Sequence, residues 1–98
     1  MKAYILIKES IPLGFAMVSA AHAGAALGQA NDPDSKEWRA GIWRKCVCKV
    51  SDAEFEAAKI HPNRMVLTES ALDNQEVALV FYPRQEWPKG FGFYRLYK

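Results

Sequence analysis

The period of hydrophobic and polar positions changes several times along this chain, and each change marks an element. Ala3-Tyr4-Ile5-Leu6-Ile7 is apolar at every position, the pattern of a strand covered on both faces. Ser10-Ile11-Pro12-Leu13-Gly14 then predicts a turn, because Pro12 cannot continue a central strand. From Phe15 to about Gln29 the chain holds six alanines and predicts a helix. Gly28 and the run Asn31-Asp32-Pro33-Asp34 supply its stop signal. Ser35 to Gly41 is short and polar, one helical turn or a loop.

Trp43 to Val50 alternates with period two. Cys46, Cys48 and Val50 share one face, and Lys45, Val47 and Lys49 share the other. Ser51-Asp52-Ala53-Glu54 fits a capping box and opens a helix through Phe55, Ala58 and Lys59, which His61-Pro62-Asn63 ends. Met65–Leu67 and Val77–Phe81 predict two more strands. Pro83 to Gly92 is punctuated by proline and glycine, and Phe93 to Tyr97 is a short strand or a helical turn. The order β-α-β-α-β-β predicts an α/β fold. Its architecture would be a three-layer-like sandwich around a mixed sheet of about four strands, in one domain over 1–98.

Composition narrows the class. Half of the 98 residues are apolar and 24% are charged, which is a globular balance and not that of a disordered chain. A domain this small has little core to spare, so a homo-oligomer is expected. Two cysteines exclude a disulfide scaffold. Their two-residue spacing on one strand keeps the thiols too far apart to close a bridge and predicts core thiols. No metal site and no cofactor are expected.

The formal charge of +2 hides an uneven distribution. Residues 36–49 carry five bases against Glu37, a net of +4, and residues 50–82 carry six acids against Lys59 and Arg64, a net of −4. Residues 83–98 carry four bases against Glu86, a net of +3. Such blocks either build a dipolar surface with ground for a phosphate-bearing ligand or form an ordinary solvated surface. The Ala- and Gly-rich stretch 11–28 is too short and too interrupted by Ser19 and His22 for a membrane span. With Lys8 and Glu9 next to it, it also makes a poor signal peptide. A cytoplasmic protein without a membrane partner is expected.

Candidate chemistry concentrates on the first helix. Ser19, His22, Ala26 and Gln29 share one stripe, while Ala16, Ala20, Gly24 and Gly28 form a small-residue stripe that admits another backbone. His22 is either a hydrogen-bonded structural residue or an acid/base group, and Ser19 one turn earlier offers a Ser-His pair. Thr68-Glu69-Ser70 leaves a strand into a polar loop, a place where α/β sheets hold ligands and where plain turns also occur. Arg84, Trp87, Lys89, Phe91, Phe93, Tyr94 and Arg95 interleave aromatics with bases. Such a mixture stacks nucleobases, makes a dimer surface or edges the core.

Taken in order, these features resemble the type 2 peptidyl-tRNA hydrolases, small α/β enzymes that cleave the ester joining a peptide to tRNA. The resemblance spans most of the chain. It rests on the strand Ile5-Leu6-Ile7-Lys8 and on the Gly-led, Ala-rich helix Gly14–Ala23 with His22-Ala23 inside it. It continues through the strand-helix unit Trp43–Lys59, the loop at Thr68-Glu69-Ser70 and the strand Val77–Tyr82 closing at Pro83. Family members carry lysine where this chain has Phe15 and glutamine where it has Ser19. They carry Asp and Thr where it offers Glu69 and Ser70.

The resemblance implies hydrolysis of peptidyl- or aminoacyl-tRNA, with His22, Lys8 and Ser70 as the catalytic set. Phe15, Ser19, Thr68, Glu69 and Arg84 would bind the ligand. Exchange of the helix-start lysine for Phe15 removes a phosphate-binding cation. This points to the alternative, a catalytically idle relative that binds a small nucleotide-type ligand. The partner is then the tRNA 3′ end or a nucleotide.

Overall fold

The computed structural model describes residues 1–98. Its all-apolar first strand, β1 (Lys2–Lys8), lies in the middle of a five-stranded sheet and is buried from Ala3 to Ile7. A central strand needs apolar residues on both faces, and the absence of alternation therefore located it correctly. On one side β1 runs parallel to β2 (Lys45–Val50), with Ile5 opposite Val47. On the other it runs antiparallel to β4 (Gln75–Arg84), with Ile5 opposite Val80. Outside β4 lies β3 (Arg64–Glu69), and outside β2 lies the two-residue β5 (Arg95–Leu96), giving the order β3-β4-β1-β2-β5.

The parallel β1–β2 pair requires a crossover, and α1 (Leu13–Gln29) with α2 (Pro33–Ala40) provides it over one face. The link from β2 to β3 passes over the other face as α3 (Asp52–Ala58). Two cores result. Ala3, Ile5 and Ile7 pack with Ala16, Ala23, Leu27 and Trp38 under α1 and α2. Tyr4 and Leu6 pack with Cys48, Val50, Phe55, Phe81 and Phe91 under α3. The α/β sandwich with a mixed sheet is therefore the architecture of the molecule.

Four local features differ from the sequence reading. The sheet has five strands, because the chain end adds β5 after the 3₁₀ turn Lys89–Phe93. The polar stretch before Gly41 is a complete helix, α2. Pro33 occupies its first turn and the Asp32 carboxylate accepts from the Ser35 N–H at 3.1 Å, so the residues read as a stop for α1 also start α2. Gly28 lies inside α1, whose last residue is Gln29. Lastly, β4 continues through Pro83 to Arg84. The register shifts by one residue between Lys2 and Tyr4, and Pro83, which has no N–H to donate, sits within that irregularity.

The capping box at Ser51 forms as expected: Ser51 Oγ accepts from the Glu54 N–H at 3.1 Å, and Glu54 accepts from the Ser51 N–H at 2.8 Å. The C-terminal aromatics belong to the core. Phe91 is 2% exposed and makes edge contacts with Tyr4, Phe81 and Tyr94, with ring centroids 5.1–5.4 Å apart. Phe93 alone of that group stays fully outside, 84% exposed. No helix is long and apolar enough to cross a membrane.

Candidate functional site

The α1 helix positions most of the candidate residues, and its two flanks differ. Its buried line is Ala16, Ser19, Ala23 and Leu27. Ala16, Met17 and Ala20 share a hollow with Val47 and Tyr97, while Gly24 and Gly28 share another with Trp43 and Lys45. This flank therefore faces β2. His22 lies about 100° off the centre of the buried line in the opposite sense, on the flank facing β3. Phe15 is on that flank too, half-buried in the cluster that includes Met65, Leu67 and Leu72.

His22 is exposed and no protein group engages its ring. The Ser-His pair does not form, because Ser19 is buried and its hydroxyl donates back to the Phe15 carbonyl at 2.7 Å. Thr68 and Ser70 are exposed at the end of β3. Glu69 is half-buried and caps the 3₁₀ turn Ser70–Leu72 by accepting from the Ala71 N–H at 3.2 Å. Leu72 and Phe15 both pack on the core under α1. His22 stands seven residues further down the helix, about 10 Å along its axis.

The remaining two candidates lie elsewhere. Lys8 belongs to the even-numbered face of β1, and its Nζ sits 4.7 Å from the centre of the Phe55 ring, under α3. Lys8 and His22 are thus on opposite faces of the sheet. Arg84 pairs with Lys2 across β4 and β1, some 20 Å of strand away from Lys8. Its guanidinium lies 5.3 Å from the centre of the Trp87 ring, and it lines a polar hollow of about 560 Å³ with Asp32, Asn63 and Tyr82. Strand parity made Lys8's side legible in the sequence. Arg84's remoteness depended on strand order and was not legible.

Charge divides along the same line as the flanks. Lys49, Arg95 and Lys98 cluster on the β2–β5 edge, where Arg95 binds Glu9 at 2.7 Å, and Lys45 stands at the start of β2. Glu69, Asp73 and Glu76 lie at the β3–β4 end, and Glu76 is bound by Lys59. The hydrogen bonds that Lys59 donates to Glu76 and Glu56 raise its pKa. Burial pushes the Cys48 thiol up to about 11, so that thiol is an inert core group.

The structure adds one place that the site reading lacked. Trp43 is 60% exposed at the entrance to β2, with its backbone in the left-handed region (φ 59°) and its indole N–H donating to the Arg39 carbonyl at 2.7 Å. Its one sequence signal was the placement of two tryptophans, Trp38 and Trp43, within the basic block 36–49. No protein-family model matches the chain, and comparison with curated proteins finds no significant match.

Proposed function

We propose that this domain engages the 3′ end of a peptidyl- or aminoacyl-tRNA, as a type 2 peptidyl-tRNA hydrolase-like unit, with His22 as its acid/base group. The supporting observation is the state of His22: a structural histidine is held by hydrogen bonds, and this one is exposed with its ring nitrogens free for water. In the reaction, His22 takes a proton from water as the water oxygen bonds to the ester carbonyl carbon. The carbon–oxygen ester bond then breaks, His22 returns its proton to the departing ribose oxygen, and the peptide leaves as a carboxylic acid that loses its remaining proton to solvent. The exposed hydroxyls of Thr68 and Ser70 at the end of β3 would donate to the developing oxyanion.

A second reading, binding without turnover, is favoured by the placement of Lys8. With Lys8 across the sheet and Arg84 at its far end, neither of the expected cations stands beside His22 to stabilise negative charge. One assay separates the two readings. Peptide release from charged tRNA, lost in His22→Ala, supports hydrolysis. Saturable tRNA binding with no release at high protein concentration supports the second reading, and neither binding nor release overturns both.

The same proposal includes a homodimer. The α1 helix carries no Asp, Glu, Lys or Arg, and it leaves Leu13, Met17 and Val18 at 43–65% exposure. A second copy would cover them. Sedimentation should give twice the chain mass, falling to a monomer in Met17→Glu; a monomer in the wild type rejects it.

A further inference from the structure

The β2-facing flank of α1 opens onto a hollow of about 490 Å³ lined by Gly24, Gly28, Trp38, Arg39, Trp43 and Lys45. Its volume is in the range of small-ligand sites. Its construction is specific. On the helix side the floor is bare backbone, because a Cβ added at Gly24 or Gly28 would meet nothing within 4 Å. On the strand side stands the Trp43 ring, braced by its bond to the Arg39 carbonyl and by its left-handed backbone. Trp38 closes the back, with its own indole N–H bound to the Arg44 carbonyl at 2.7 Å.

The cations are held as firmly as the rings. Lys45 Nζ donates to the Trp43 carbonyl at 2.9 Å and lies 5.6 Å from the centre of the Trp38 ring, so it is fixed between the two tryptophans. Arg39 donates to the carbonyls of Leu27 and Ala30, which neutralises the negative end of α1 beside the hollow. None of the lining residues is acidic. Two tryptophan walls, a volume of about 490 Å³ and two positive charges together match a planar aromatic group that carries an anion.

We propose that this hollow is a binding site for a nucleoside monophosphate unit, its base between Trp43 and the glycine floor of α1 and its phosphate on Lys45. The source is either a free nucleotide or the last nucleotide of a single-stranded RNA. The site stands on its own geometry, and only its assignment to a tRNA end rests on the function proposed above. It lies on the flank of α1 opposite His22, so a ligand using both would wrap the helix.

The test is a titration of tryptophan emission in the full-length protein with adenosine 5′-monophosphate, and separately with a short single-stranded RNA. Saturable quenching is expected, weakened roughly tenfold in Lys45→Gln and more in Trp43→Ala, whose binding is followed by calorimetry. Gly28→Leu should abolish it without lowering the melting temperature, since a Cβ there meets nothing within 4 Å and the longer side chain enters the hollow. Quenching by the mononucleotide identifies a free-nucleotide site, and quenching by RNA alone identifies a strand end. No saturable response to either probe, or a response unchanged in Gly28→Leu, overturns the proposal. His22→Ala is expected to leave this binding unchanged. In the wild-type protein, nucleotide binding without any peptide release therefore counts against the hydrolase reading alone, and release without nucleotide binding counts against this site alone.

Discussion

The two faces of the sheet are built from different materials. The α3 face is closed by rings: Tyr4, Phe81, Trp87 and Phe91 pack edge to face, and Lys8 and Lys59 lie over Phe55. Its helix carries a full capping box and two acids in its first turn. The α1 face is packed with Ala, Ile, Val and Leu under a helix that has no side-chain cap, no acid in its first turn and no base in its last. Hollows open along that helix. Large rings fill space and leave none for a ligand, whereas a helix of alanine and glycine sits close to the sheet and leaves its flanks open. One face supplies rigidity and the other supplies surface.

That division is open to direct attack. The largest loss should come from Phe91→Ala, which removes the ring at the centre of the aromatic face. It should cost about 3–5 kcal/mol in urea unfolding, and a loss under 1 kcal/mol would show that the rings are not the main support. Next comes a pH effect. The buried Cys48 thiol keeps its proton up to about pH 11, whereas the unfolded chain ionises near 9.0. The unfolded state therefore gains as pH rises, and stability that is complete below pH 9 should fall by up to about 2 kcal/mol by pH 11. Cys48→Ala should lack this decline when the two unfolding curves are compared.

Smaller effects sharpen the contrast between the helices. Ser51→Ala should cost about 1 kcal/mol, because α3 depends on its cap. On the open side the sign reverses. Gly24→Ala should raise stability by about 0.5–1 kcal/mol, since a Cβ there meets no neighbour and alanine is the better helix former. A melting temperature lowered by Gly24→Ala would mean that the flank is already packed against something in solution.

Several elements were legible because their signals are local. The capping box at Ser51 involves four consecutive residues, and the burial of β1 follows from five apolar residues in a row. Others were not, because their partners lie far away in sequence. Asp32-Pro33 ends α1 and starts α2, and a stop and a start look alike when residues that pack beneath the second helix are unknown. Pro83 ends a strand by local rules, yet β4 passes it because β1 slips register opposite it. The candidate site divides in the same way. The stripe holding His22 and the small-residue stripe were both visible at helical spacing. Arg84's distance from Lys8, Ser19's turn back to Phe15 and the tryptophan-lined hollow were not.

The sequence by itself determined the class of fold, the central strand, the cap of α3 and the two stripes of α1, because each rests on the periodicity or chemistry of neighbouring residues. Only the tertiary structure decided which stripe faces which strand. The order β3-β4-β1-β2-β5 turns the glycine stripe toward β2 and its bases, and the histidine toward β3 and its acids. Strand order is set by how separate segments bury their apolar faces together, and no window along the chain contains that information.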